Sequence, residues 1–182
     1  VGYQTGDARL NRFAANQLLH LGALQSEGPR CLQGTGGATS LMALVQAYDR
    51  VGEVETASGL LRSYAALVPA RPPFSSEGIQ RAAGFAIALG WHLSATRQVQ
   101  LRRQLFPVVD QFMAALAQSP MLPGPVAMSF VGSLRRSGPA LHLMLGKAIE
   151  SYQSMLPDKD EARLRLCDEL QLRLLKQADA AS

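Results

Sequence analysis

Residues 41–61, LMALVQAYDRVGEVETASGLL, decide the architecture of this chain. Leu41, Leu44, Val45 and Tyr48 recur at helical spacing and so fall on one face. Gly52 interrupts the run, supplying the left-handed backbone on which helices commonly end. A second amphipathic segment follows at once, with Val54, Ala57, Leu60 and Leu61 on one face. Glu53 and Glu55 place negative charge at its positive end, and Ala57 is small where two helices must approach closely. The stretch predicts a helical hairpin, the unit from which stacked helical arrays are built.

Working outward, Asp7 caps a first helix to about Leu24, with Leu10, Phe13, Ala14, Leu18 and Leu21 as its apolar stripe. Residues 26–37, SEGPRCLQGTGG, read as a loop, and the hairpin takes about 38–67. Three prolines in 69–74 make a firm break. Ser75 or Ser76 then caps a helical region reaching Gln118, with Glu77 in its first turn. Pro107 is expected to divide that region in two, because an interior proline removes a hydrogen bond and clashes with the preceding turn. Residues 119–125 form the next break. Helices follow at about 126–137 and 139–155, and Asp158 with Glu161 forms a capping box that opens a last helix to about Ala178. The expectation is an all-α protein of seven to eight helices, a right-handed α-solenoid of antiparallel hairpins. It forms one domain over 1–182, with a subdivision at 69–74.

Composition agrees with helices. Of 182 residues 47% are hydrophobic, enough for a sizeable core, and only 6% are aromatic, which disfavours sheets. Every long apolar stretch is interrupted by polar residues, so no membrane-spanning helix is expected. Cys31 and Cys167 stand far apart without a partner motif and read as reduced core thiols. The chain begins at Val1, which suggests a removed leader or numbering that starts inside a longer protein.

Candidate chemistry is sparse. Residues 34–40, GTGGATS, precede a helix but lack the Lys-Ser/Thr ending of a phosphate-binding loop, and no strand precedes them; a helix lead-in with a Thr or Ser cap is the better reading. His20, His92 and His142 lie on separate helices without a second ligand at metal spacing, and read as packing or surface histidines. Cys31 or Cys167 as nucleophile needs a histidine base that sequence does not place. No catalytic residue, cofactor or metal is expected. The remaining signal is basic. Net charge is +4, with Arg97, Arg102 and Arg103 in one helix and Arg135 and Arg136 ending another. Such clusters bind phosphates or complement helix dipoles on a solvated face, and arginine also suits protein interfaces through its planar fork. These five arginines are the candidate partner-binding residues.

The pattern Leu44-Val45-x-Ala47-Tyr48-x-Arg50-x-Gly52-x-Val54-x-x-Ala57-x-x-Leu60-Leu61 resembles the pentatricopeptide repeat, and covers one of the roughly five repeats this length would hold. A second run, residues 130–149, has a similar apolar–basic–Gly–apolar order with Pro139 after the glycine. The resemblance implies a helical-repeat scaffold, usually organellar, whose relatives read single-stranded RNA with an Asn, Thr or Ser near the start of the first helix. Here that position is Met42, which cannot hydrogen-bond a base, and the repeat ends among Arg71, Pro72 and Pro73. What it then implies is a scaffold that docks on protein. In size, charge and lone repeat the chain is similar to the small extra subunits of euglenozoan mitochondrial F1-ATPase. That implies a non-catalytic, matrix-side subunit of ATP synthase bound to the outer face of an α-type subunit, the alternative being an organellar RNA-binding or ribosome-associated protein. The last helix, with Leu164, Leu166, Cys167, Leu170, Leu174 and Leu175, is expected to cap the stack or to anchor on a partner helix.

Overall fold

The computed structural model describes residues 32, 37–119, 138–157 and 160–179. Among them every regular element is an α-helix: α1 Gly37–Arg50, α2 Val54–Ala65, α3 Ser76–Thr96, α4 Val99–Gln118, α5 Gly138–Ser154 and α6 Glu161–Asp179. The helices expected at 7–24 and 126–137 lie outside the described residues, so the expected seven to eight are six here.

The α1–α2 hairpin forms as its spacing predicts. Gly52 has φ +78°, Glu53 N–H donates to Tyr48 O at 2.9 Å and Gly52 N–H to Asp49 O at 3.2 Å, the paired bonds of a Schellman stop. Leu41, Leu44, Val45 and Tyr48 of α1 are buried, as are Ala57, Leu61 and Tyr64 of α2. Val54 and Leu60 are half-buried at the edge of that face.

The long region after Ser75 divides elsewhere than expected. Ser75 Oγ accepts from Gly78 N–H at 3.0 Å and starts α3, but the break falls at Arg97, in the left-handed conformation (φ 53°, ψ 32°) with its N–H on Leu93 O. Pro107 lies inside an unbroken α4. Both Pro107 and Arg103, whose carbonyl loses its partner to the proline, are exposed, so water can take up that carbonyl. At the last helix the cap is Asp160, whose Oδ1 accepts from Arg163 N–H at 3.3 Å; Asp158, expected in that role, is outside the described residues.

Helix α3 is apolar nearly all round its circumference and is buried accordingly, at Ile79 and continuously from Ala82 through Gly90. It packs against α1 on one side and α5 on another. Glycines permit both approaches: a Cβ on Gly84 would stand 2.7 Å from Ala38 Cβ of α1, and one on Gly90 2.9 Å from Ser151 Cβ of α5. Each of α1, α3 and α5 also packs on the helix that follows it, and α2, α4 and α6 touch in turn, so the helices fall into two rows. The second row buries a clean stripe of α4 made by Leu101, Leu105, Val109, Phe112, Met113 and Leu116. In α6, Cys167, Leu170 and Leu174 are buried, whereas Leu175, expected in the same stripe, is exposed.

Polar clamps join α4 to α6 along the second row, and the Tyr152 hydroxyl ties the first row to them. Asp110 of α4 receives both Nε and Nη2 of Arg163 (2.6 and 2.8 Å) and the Tyr152 hydroxyl (2.5 Å), while Arg163 Nη1 reaches Asp160 Oδ2 at 2.5 Å. Such a fork on a carboxylate sets orientation as well as distance. Arg173 donates to Ala117 O and Ser119 O, satisfying the last carbonyls of α4.

Candidate partner-binding site: an arginine-lined trough

Two adjoining cavities run along the start of α4. The first, about 250 Å³, is bounded by Leu93, Ser94 and Arg97 at the end of α3, by Gln98, Val99 and Arg102, and by Ser154 and Met155 at the end of α5. The second, about 360 Å³, shares Val99 and Arg102 with it and continues past Arg103, Phe106 and Pro157 to Arg163. Together they make one trough. Four arginines line it, and among the described residues no carboxylate does.

The fold brings Arg97, Arg102 and Arg103 to this trough, but not on the one helix expected: Arg97 caps the end of α3, and Arg102 and Arg103 lie on α4. Arg135 and Arg136 lie outside the described residues. The three differ in their engagement. Arg102 is half-buried and donates through Nη2 to Met155 O, capping the end of α5; a neutral carbonyl leaves its charge uncompensated. Arg97 and Arg103 are exposed and have no carboxylate partner among the described residues. Arg97 also holds a left-handed backbone that costs a non-glycine residue about 1 kcal/mol, and strain of that kind gathers where a side chain must be aimed. Arg163, which sequence reasoning passed over, is fully committed. Its guanidinium lies 5.7 Å from the Phe106 ring centroid and bonds Asp110 and Asp160, holding both carboxylates below the usual range.

Ser94 and Ser154 are exposed on the trough wall, but each hydroxyl donates back into its own helix, to Gly90 O at 2.8 Å and Ser151 O at 2.7 Å. The guanidinium groups and the Gln98 amide nitrogen are therefore the donors on offer, and the serine oxygens are acceptors. The Phe106 ring is already stacked on Tyr152 (centroids 5.5 Å, planes 8° apart). This surface can hold anions against an apolar floor.

A second polar grouping lies inside the molecule. His92 of α3 is fully buried; its Nδ1 stands 2.7 Å from Asp49 Oδ1 and its Nε2 3.0 Å from Ser58 Oγ. An ionised carboxylate only accepts, so the Nδ1 proton points at Asp49 and Nε2 faces the Ser58 hydroxyl. These are the distances of a Ser-His-Asp nucleophile. Yet Ser58 is wholly buried, and its single proton is shared among His92, Val54 O (2.9 Å) and Gln98 Oε1 (3.0 Å). No reacting carbonyl can reach a hydroxyl with no exposed surface, so the geometry suits a clamp joining α1, α2, α3 and the start of α4. Of the two readings the sequence allows His92, packing or surface, the structure gives the packing one, with Asp49 and Ser58 as partners that the sequence does not point to. The weak signal was a lone histidine within an apolar helix, which must find polar partners.

The other candidates are soon placed. Cys167 is buried, and burial pushes its thiol up to about 11, the opposite of nucleophile activation. His142 is half-buried on α5, while His20, Cys31 and residues 33–36 lie outside the described residues. The helix expected after that loop begins at Gly37, ahead of Thr39 and Ser40, which sit in its first turn. Among the described residues no three metal-ligating side chains gather, and no helix is long and apolar enough to cross a membrane.

No family model, curated protein or solved structure is found to match this chain.

Proposed function

We propose that this chain is a non-catalytic helical-repeat subunit, a right-handed α-solenoid that docks on the acidic surface of a partner protein through the trough at Arg97, Arg102 and Arg103. The observation that carries this reading is the trough itself: uncompensated guanidinium groups over an apolar floor, on a rigid helical frame. The order of neighbours supports the solenoid, because first helices touch first helices and second helices touch second helices along the chain. Against catalysis stands the inaccessibility of Ser58 beside His92. The setting is carried over from the resemblance of 44–61 to the pentatricopeptide repeat. It is the mitochondrial matrix side, with the F1 head of ATP synthase and its α-type subunit as the partner.

Native electrophoresis of organelle extracts tests it. The chain should co-migrate with a large protein complex, and nuclease should leave that migration unchanged. Migration only as a free monomer defeats the proposal. RNA-dependent migration, with affinity falling steeply as salt rises, would instead select RNA binding.

A further inference from the structure

We infer that the trough takes an extended acidic peptide segment of the partner, gripping one carboxylate between Arg97 and Arg102 and the neighbouring apolar side chain against Leu93, Val99 and Met155. This rests on the docking reading and specifies what docks. Charge complementarity is the first argument. Four guanidinium groups line the trough, Arg163 alone among them is neutralised by carboxylates, and none of the other described lining residues is acidic. The floor is the second. Leu93, Val99 and Met155 line the trough with Arg97 and Arg102, and Pro107 and Pro157 with Arg103; these apolar surfaces ask for apolar groups between the charges, which a polyanion of uniform character lacks.

Hydrogen-bond polarity is the third argument, and it favours a peptide backbone over a phosphate backbone. Ser94 and Ser154 spend their protons on Gly90 O and Ser151 O, so they face the trough as acceptors. Peptide N–H groups suit such acceptors; phosphodiester oxygens do not. Base stacking has no free platform here either, since Phe106 is engaged by Tyr152 and by Arg163. The cavity beside Arg97, about 250 Å³, has room for one carboxylate side chain and one aliphatic neighbour, and the segment then runs past Val99 toward Arg103.

The test is a fluorescence titration of the full chain with a short labelled peptide alternating glutamate and leucine. The same peptide with glutamine for glutamate, a polyglutamate of equal charge and a single-stranded oligouridylate serve as comparisons. The alternating peptide should bind at least about tenfold more tightly than each of the three, tenfold being about 1.4 kcal/mol. Arg97→Glu and Arg103→Glu should each weaken it about tenfold without shifting the thermal midpoint, both side chains being exposed. Arg165→Glu on the exposed face of α6 makes the same change in net charge away from the trough and should leave affinity within about twofold. Equal binding of polyglutamate, preference for the oligouridylate, or equal damage from Arg165→Glu overturns the inference. On native gels, an Arg97→Glu/Arg103→Glu chain that leaves its complex, while the alternating peptide binds the wild type no better than its comparisons, overturns the inference and leaves the docking reading standing; a double variant that still co-migrates removes the trough from both. Free migration of the wild type removes both.

Discussion

His92 Nδ1 lies 2.7 Å from Asp49 Oδ1, bridging α1 and α3 with the imidazole ring fully enclosed. The same ring meets Ser58 of α2, whose hydroxyl also reaches Gln98 at the start of α4. One side chain thus ties the first hairpin to the second. Deleting it leaves the Asp49 carboxylate, only 10% exposed, without its partner and opens a void among helices in contact. His92→Ala is expected to lower the unfolding free energy by about 2–3 kcal/mol, from the buried hydrogen-bond partners left unmatched and the void left by the ring. In a double-mutant cycle with Asp49→Ala the losses should fall short of additive by at least about 1 kcal/mol. Urea titration measures both, and strict additivity would show that the contact is not energetically coupled.

Two glycines in similar helices should respond oppositely to alanine. At Gly84 a methyl would sit 2.7 Å from Ala38 Cβ and 3.2 Å from Ala38 Cα, where α1 cannot yield without moving backbone. Gly84→Ala should destabilise by about 1–3 kcal/mol. At Gly59, inside α2, nothing lies within 4 Å of the added methyl, and the helix gains the propensity difference. Gly59→Ala should stabilise by about 0.5–1 kcal/mol. Thermal unfolding of the two variants side by side decides the matter. A Gly84→Ala protein as stable as the parent would mean that α1 and α3 are not held so close.

The local parts of this design are readable from sequence, and the non-local parts are not. The stop at Gly52 and the cap at Ser75 are chemistry within a few residues, and both appear where the pattern puts them. The turn at Arg97 escaped because neither glycine nor proline marks it. Pro107 misled because its cost depends on whether the freed carbonyl faces water, which is a tertiary fact. Arg97, Arg102 and Arg103 could be picked out by adjacency, whereas the opposite wall of their trough, Ser154 and Met155, comes from some fifty positions away. The Asp49–His92–Ser58 clamp joins residues 43 and 34 positions apart, and no local period encodes such a meeting.

Tyr64 is fully enclosed, stacked on Phe85 at 6.3 Å, and its hydroxyl has no hydrogen-bond partner among the described residues. A buried hydroxyl left unpaired is costly, so Tyr64→Phe should raise stability by about 1 kcal/mol at neutral pH. Burial also pushes the phenol up to about 12. An unfolded tyrosine ionises near pH 10, so between pH 10 and 12 ionisation favours the unfolded chain, and the stability present below pH 10 is lost as pH rises. Phenylalanine cannot ionise, and the advantage of Tyr64→Phe should therefore widen over that interval. Denaturation midpoints at pH 8 and pH 11 test this; a variant less stable at both would reveal a partner for the hydroxyl.

At the acid end the controlling pair is Asp110 and Arg163. Hydrogen bonds from Arg163, the largest influence, hold the Asp110 carboxyl below the usual carboxylate range, with the Tyr152 hydroxyl adding to the effect against the opposing cost of burial. A depressed folded-state pKa means that the pair stabilises at pH values above about 4, where the unfolded aspartate is also charged. That contribution is lost as pH falls through the lower folded value. Because Arg163 is 41% exposed and screened by solvent, the pair contributes only about 1 kcal/mol. Asp110→Asn retains an acceptor for Tyr152 but abolishes the charge, so it should be less stable by about that amount at pH 7, and the gap should close as pH falls through the lowered folded value. Parallel stability curves for the two proteins across the whole acid range would show that the Asp110–Arg163 fork does not set the acid limb.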